Sequence, residues 1–251
     1  MGVAVVGISL SGPLTALVTA PFLAIAFWRN AAGAAVLLPV LLGRERATLT
    51  GVRLRDLRSS AVAGVFLAGH FAAWVPSLSM TTVAASIALV TTTPIWTTLF
   101  ARLAGDGLAL LGAICAGGYV LAGARARQRL ATSAYTVIAY SICAVVLAVA
   151  ALVAGSPLAG FSARDWWLIA AITVVAQLFG HTLLNLVLSS VGPTVVSLAV
   201  LLEVPGALIV ALILLNQAPP LLALPGMAAV VAGVALVVRA SRPATLVEAA
   251  T

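Results

Sequence analysis

Glu203 is the acidic residue that stands deepest inside an apolar run of this sequence. A carboxyl group surrounded by apolar residues can bind and release a proton, or it can pair with an amine. Pro205 follows two residues later, and proline removes a backbone donor and favours a kink in a helix. We therefore predict a proton-titrating or cation-binding group next to a helix kink. The alternative is a carboxyl group that an internal hydrogen bond holds for folding.

A polar stripe precedes this glutamate along the chain. Its members recur every four residues, as Thr173, Gln177, His181 and Asn185. Residues at this spacing share one face of an α-helix. Polar side chains at membrane depth turn toward a water-filled cavity or a partner helix, so the stripe predicts a solute pathway or a hydrogen-bonded helix interface.

The chain contains an internal duplication with an offset of 111 residues. Four residues recur at this distance, Gly69-His70 as Gly180-His181, Ser86 as Ser197 and Pro94 as Pro205. Matched prolines predict a matched kink in both copies. In an apolar chain, a duplication is typical of a membrane transporter built from two halves.

The first copy carries aromatic residues where the second copy is polar. Phe66, His70 and Trp74 correspond in register to the polar stripe, and Thr92, followed by Trp96, corresponds to Glu203. Aromatic and polar faces opposite each other can hold an amphipathic or aromatic solute. Plain aromatic packing is the alternative.

Arg29 lies about eight residues inside the second apolar run, and its counterpart in the other copy is Tyr140. A guanidinium at this depth can attract an anionic group or pair with Glu203. It can also extend along the apolar surface to the nearer membrane interface, and we expect this snorkelling arrangement.

The composition requires a mainly lipid environment. Hydrophobic residues make up 63% of the 251 positions and charged residues 8%, far below the level of soluble domains. We predict an all-α, polytopic membrane protein with about nine transmembrane helices. The predicted segments are 3–20, 22–43, 59–79, 82–103, 106–124, 133–154, 165–188, 193–215 and 219–238.

The arginines conflict with nine strictly alternating segments. Alternation places seven arginines on one side and five on the other, which is almost no bias. One extra crossing after Arg102 places eleven on one side and one on the other. The pattern therefore favours an inverted five-plus-five ancestor that has lost the fifth helix of its first copy. The copies would be residues 1–104, with four helices, and 105–251, with five. The 44–58 loop is expected in the cytoplasm.

Two stretches carry a family resemblance. Residues 84–103 read AASIALVTTTPIWTTLFARL, and residues 195–215 read VVSLAVLLEVPGALIVALILL, with LPGMAAVVAGVALVV following at 224–238. With the repeat and the charge layout, they resemble the EamA-type family of the drug/metabolite transporter superfamily. Gly105-Asp106 and Asn216-Gln217 stand where that family often has Gly-Glu.

The resemblance implies a secondary transporter, a permease or exporter of a small organic metabolite, amino acid or drug-like solute, coupled to protons or another ion. The expected site lies near the midplane, between the third, fourth, seventh and eighth segments. The alternative is a truncated or degenerate family member without transport activity of its own.

The expected partners are a small-molecule substrate and the lipid bilayer of a bacterial inner membrane, with a homodimer as an open possibility and no nucleic acid. No cofactor or metal is expected. The sequence has no HExxH, GxSxG, Walker A or CxxC motif, so we expect no enzyme activity and no direct use of ATP.

Overall fold

The computed structural model describes residues 1–83, 86–87, 104–218, 221 and 223–240. These residues form a bundle of helices, and no strand occurs in these ranges. The α-helices are α1 (Gly2–Ser9), α2 (Ser11–Ala16), α3 (Phe22–Gly43), α4 (Leu54–Met80), α5 (Ala104–Arg127), α6 (Thr132–Val153), α7 (Ala163–Ile172), α8 (Leu183–Val200), α9 (Glu203–Leu215) and α10 (Ala223–Ala240). A π-helix, π1 (Thr173–Thr182), joins α7 to α8, and a 3₁₀-helix (Arg46–Gly51) precedes α4.

The apolar lengths are those of a multi-pass membrane protein. Within the described residues, five helical stretches are long and apolar enough to cross a bilayer, two of them with an interruption. They are Phe22–Gly43, Leu54–Met80, Thr132–Val153, Ala163–Pro193 and Val195–Leu215. The ends of these stretches lie close to the boundaries expected from hydropathy, because about 20 apolar residues are needed to span the hydrocarbon layer.

Two predicted segments are broken. The first, 3–20, divides into α1 and α2 at Leu10. The eighth, 193–215, divides between Val200 and Glu203, and a further break lies at Gly192, whose φ of 80° is left-handed. Pro205 lies in the first turn of α9, so the interruption comes just before it rather than at a kink inside a continuous helix.

Most of the fourth predicted segment, 82–103, lies outside the described part of the chain. Only positions 82, 83, 86 and 87 of this segment are described, and three residues singled out in it are not. These three residues are Thr92, Pro94 and Trp96.

The helices α3 and α6 pack as an antiparallel pair. Gly33 of α3 packs against Tyr140 of α6, and Leu41 packs against Ala134 nearer the end. At that end, the Ser133 hydroxyl donates a hydrogen bond to the Glu45 carboxylate. The loops 44–58 and 125–131 therefore lie together, at what is called below the arginine-rich end.

The helices α4 and α5 are also antiparallel. Gly118 of α5 packs on the Phe66 ring, whereas Gly112 packs on Trp74, farther along α4. Met80 and Ala104 consequently lie at the same end, opposite the arginine-rich end. Nine strictly alternating segments would place the two arginine-rich loops at opposite ends, whereas the described residues place them at one end.

Glycines make two close helix contacts that cross between the halves of the chain. Gly7 of α1 meets Gly180 of π1, where an added Cβ would lie 2.9 Å from the Gly180 nitrogen. In α4 and α5, Gly69 meets Cys115, where an added Cβ would lie 2.9 Å from the sulfur. Small residues allow such approaches in lipid, where packing rather than hydrophobic burial associates helices. Each early helix of one half thus packs on the third long segment of the other.

Candidate functional site in a central polar cavity

A cavity lies among α1, α2, α4, α5, π1, α8 and α9. Its polar lining consists of Ser11, His70, Trp74, Tyr119, His181, Asn185 and Glu203, and its apolar lining of Ile8, Leu67, Ala116, Val120, Leu184, Leu188, Val196 and Val200. The space open to the centres of water molecules is about 80 Å³. This is room for roughly five to eight waters, or for a solute with a similar number of heavy atoms.

The lining contains three pairs of residues that are 111 positions apart. They are Ile8 with Tyr119, His70 with His181, and Trp74 with Asn185. Positions related by the 111-residue offset therefore come together in one cavity. One of the three pairs is a histidine in both members. In the other two pairs, the earlier residue is apolar or aromatic, Ile8 or Trp74, and the later residue is polar, Tyr119 or Asn185.

Aromatic rings form one wall. The rings of His70 and Trp74 stack with centroids 5.7 Å apart and an interplanar angle of 9°. His70 Nδ1 lies 2.9 Å from the Gly112 carbonyl oxygen, so Nδ1 carries a hydrogen and donates it, and Nε2 is free of this contact. Phe71 packs edge-on against His181 at 5.8 Å.

Trp74 is 3% exposed, and its Nε1 has no acceptor in the described part of the protein. Such buried donors are rare in folded proteins and call for a partner.

Behind this wall lies a buried network around Arg29. Arg29 Nε donates to Gln177 Oε1 at 2.9 Å, and Nη1 donates to Ser11 Oγ at 3.1 Å. The guanidinium carbon is 4.3 Å from the centroid of the Phe71 ring, a cation–π contact. Gln177 Nε2 donates in turn to Asn30 Oδ1 at 3.0 Å. Arg29 is 0% exposed, so it does not snorkel to the membrane interface.

The snorkelling expectation failed because three partners from distant parts of the chain surround the guanidinium. They hold it inside the bundle more favourably than the interface would.

The polar stripe is divided by π1. The Thr173 hydroxyl donates to the Ile169 carbonyl at 2.8 Å, and Gln177 faces Arg29, whereas His181 and Asn185 line the cavity. A π-helix has a wider turn than an α-helix, so a spacing of four no longer keeps residues on one face. Both alternatives are present: Gln177 joins helices, and His181 and Asn185 border the cavity.

Tyr140 stabilises the wide turn. Its hydroxyl donates to the Gln177 carbonyl at 3.3 Å and lies 3.1 Å from Thr182 Oγ1. Thr182 Oγ1 also donates to this carbonyl at 3.0 Å. The π-turn is thus tied to α6 by the residue that duplication matches to Arg29, although Tyr140 does not line the cavity.

Glu203 begins α9 and borders the cavity with 8% of its surface exposed. No described residue donates a hydrogen bond to its carboxyl group, and both interpretations of Glu203 stay open. Arg29 is the cation that acts on it through space, but the two groups form no ion pair within 4.0 Å. The carboxyl group therefore has free acceptor positions toward the cavity.

Two polar lining residues, Ser11 and Tyr119, were not singled out from the sequence. The Tyr119 hydroxyl lies 2.9 Å from Asn185 Oδ1 and 2.6 Å from Nδ2, and Ser11 links the cavity to Arg29. The 111-residue offset identifies Tyr119, because Ile8 is its counterpart. Ser11 gives no such signal, since its counterpart is Ala122. Phe66, by contrast, is outside the lining and packs on Gly118.

The site has no group of three or more metal-ligating side chains among the described residues. Its chemistry is that of non-covalent recognition: one carboxyl group, one buried cation, two imidazoles, a tyrosine–asparagine pair and an aromatic wall. The long apolar helices are those of a multi-pass membrane protein, and the bundle encloses a cavity with a few polar groups in its lining.

A family model and a structural comparison agree with this class. The model of the EamA-like transporter family matches residues 103–239, more than half of the chain. Six chains of solved structures match the fold, and one, described only as "Crystal structure of protein", has a TM-score of 0.64 at 15% identity, covering 96% of both chains. This second likeness shows the fold alone. No curated protein matches the sequence.

The chain belongs to the EamA-like transporter family, as the resemblance in residues 195–215 and 224–238 had indicated. The matched region begins one residue before α5 and ends one residue before the end of α10. Members of this family are transporters of the drug/metabolite type rather than enzymes.

Proposed function

We propose that this protein is a secondary transporter of a small organic solute, which binds in the central cavity. The observation that carries the proposal is the convergence of Glu203, His70 and His181 on one mainly apolar internal cavity in a family of transporters. Polar groups inside a membrane bundle are costly, and a solute pathway is the use that explains them. No nucleotide-binding motif occurs in the sequence, so an ion or solute gradient supplies the energy.

The proposal includes an inverted repeat of four plus five helices. It is supported by the 111-residue offset and by the exchanged contacts of Gly7 with Gly180 and of Gly69 with Cys115. Such repeats give alternating access by rocking of one half against the other around a fixed site. Residues 1–104 and 105–251 are the proposed halves.

The proposed orientation places the arginine-rich end in the cytoplasm of a bacterial inner membrane. Exposed arginines crowd this end, namely Arg44, Arg46, Arg53, Arg55, Arg58, Arg125 and Arg129. Positive loops of this kind remain on the cytoplasmic side. The cavity extends in this direction, because its lining residue Leu188 adjoins Ser189, whose hydroxyl accepts from Arg127 at 3.1 Å. The described conformation is accordingly proposed to be the inward-facing one.

Transport is tested with purified protein in liposomes. The vesicles are exposed to a mixture of small metabolites under an imposed proton gradient, and their contents are analysed by mass spectrometry. We expect at least one solute to accumulate with the wild-type protein, and replacement of His181 by Ala to reduce its accumulation at least tenfold. Glu248→Gln, in the C-terminal tail, is the matched control and should leave accumulation unchanged. Binding without accumulation of any solute would instead support a family member that does not transport.

A further inference from the structure

The charges around the cavity do not balance through direct contact. Arg29 and Glu203 are both buried, yet they lie beyond 4.0 Å of each other. Arg29 Nη2 has no hydrogen-bond acceptor among the described residues, even though the other two nitrogens of its guanidinium are bonded. A buried cation with a free donor is a binding position for an anionic group.

Ser11 connects this cation to the cavity. Its oxygen accepts from Arg29 Nη1, and Ser11 is also part of the cavity lining. The serine's own hydrogen has no acceptor in the described ranges, so it is available to a solute. Hydrogen bonds that involve ionised groups are shorter and stronger than neutral ones, and a guanidinium behind a hydroxyl strengthens its donation toward an anion.

We propose that Ser11, with the buried Arg29 guanidinium behind it, binds the carboxylate of a small monocarboxylate solute, and that Glu203 is protonated while this solute is bound. This inference rests on the proposed transport function and names its substrate class. The space for roughly five to eight heavy atoms limits the solute to short carboxylates.

Charge balance then couples the solute to one proton. With the anion bound and Glu203 protonated, the positive charge of Arg29 and the negative charge of the solute cancel. In the empty cavity, Arg29 and ionised Glu203 cancel. Either half-loaded state has one uncompensated charge in the membrane interior, which opposes reorientation. The cycle therefore moves one anion and one proton together, and the proton comes from the aqueous phase and returns to it on the other side.

The groups that surround Glu203 and Arg29 leave this balance unchanged. They are hydroxyl, thiol and imidazole groups on the packed helices, and the balance takes both imidazoles as uncharged: Tyr119, Tyr140, Cys143, His70 and His181. His70 donates one imidazole hydrogen to the Gly112 carbonyl, and a neutral imidazole has this one hydrogen, so the contact does not require a charged ring.

The first test uses three probes of similar size and different charge: glycolate, glycolamide and ethanolammonium. Binding to the purified wild-type protein is measured by calorimetric titration at pH 6. We expect glycolate to bind at least tenfold more tightly than the other two. Tighter binding of ethanolammonium or glycolamide would overturn the proposal.

Variants separate binding from packing. Arg29→Gln should weaken glycolate binding at least tenfold and remove the preference over glycolamide, whereas Arg29→Lys, which keeps the charge, should restore part of that preference. Ser11→Ala should weaken binding severalfold. Arg164→Gln, an exposed arginine at the opposite end, is the control and should bind as the wild type does. If Arg29→Gln does not fold, the other two variants decide. The proposal is overturned if Arg29→Lys and Ser11→Ala both keep the wild-type preference for glycolate.

Glu203→Gln gives the second test, because glutamine imitates the protonated carboxyl. We expect wild-type affinity for glycolate to fall as pH rises from 6 to 9 and the affinity of Glu203→Gln to stay constant. In liposomes, this variant should exchange labelled for unlabelled glycolate but lose net uptake. Equal pH dependence in both proteins overturns the proposal. If the metabolite screen finds flux of a neutral or cationic solute while glycolate does not bind, this inference fails and the transport function stands.

Discussion

The Ser133 hydroxyl donates a hydrogen bond to the Glu45 carboxylate, across 88 positions of sequence. Glu45 follows α3, and Ser133 begins α6, so one contact joins two loops that both carry clustered arginines. The relationship fixes the relative side of these loops without reference to the membrane. This direct contact joins the two loops whatever the number of segments between them.

Labelling of single cysteines should therefore place both loops on one side. With Cys115 and Cys143 replaced by Ala, we expect cysteines at Arg46 and Gln128 to react with an impermeant maleimide only from the cytoplasmic face. A cysteine at Ala159, in the loop between α6 and α7, should react only from the other face. Reaction of positions 46 and 128 from opposite faces would contradict the fold.

Arg127 should affect stability more than its neighbours in the same cluster. It donates from Nε to the Asn185 carbonyl at 3.0 Å and from Nη2 to the Ser189 hydroxyl, which ties α5 to α8. We expect Arg127→Gln to lower the free energy of unfolding by about 1.5–3 kcal/mol, because hydrogen bonds from a charged donor are lost. Arg129→Gln, exposed in the same loop, is the control and should change it by less than about 0.5 kcal/mol. Equal effects in chemical denaturation would show that only the cluster charge matters.

The glycine contact between α1 and π1 should not accept even a methyl group. A Cβ on Gly7 would lie 2.7 Å from the Val175 carbonyl oxygen, a backbone atom that cannot rotate away. We expect Gly7→Ala to destabilise the protein by about 1–3 kcal/mol, measured by thermal unfolding in detergent.

Two matched variants locate this effect. Gly2→Ala, which meets nothing within 4 Å, should leave the unfolding temperature unchanged. Gly118→Ala meets the Phe66 ring, a side chain that can move, and should cost less than Gly7→Ala. An unchanged unfolding temperature in Gly7→Ala would mean that α1 does not pack on π1.

Tyr119 and Asn185 should behave as a coupled pair. Their contact is the polar connection between α5 and α8 at the cavity wall. We expect Tyr119→Phe and Asn185→Ala each to lower stability, and the double variant to lower it by less than the sum. The coupling energy should be about 0.5–1.5 kcal/mol, the net value of a hydrogen bond. Strict additivity in a double-mutant cycle would show that the two side chains act independently.

Hydropathy and duplication predicted much of the bundle. The apolar runs gave the helices around α3, α4 and α6 closely, since the bilayer thickness sets a helix length that sequence can show. The 111-residue offset related His70 to His181 and Trp74 to Asn185 before any geometry was known. The structure places all four in one cavity.

Other parts depend on contacts that no local pattern encodes. The π-turn changes which residues share a face, and an assumed period of 3.6 residues cannot show this change. The burial of Arg29 depends on Gln177, 148 positions away. Ser11 belongs to the cavity only because α2 carries it to the guanidinium of α3.

The exchange of early helices between the halves also has a consequence for biosynthesis. The ribosome makes α1 well before Gly180, the residue that receives Gly7. Until then, α1 has no final partner and must wait in the bilayer or at the translocon. The contact between Gly7 and Gly180 can therefore form only after π1 has been synthesised.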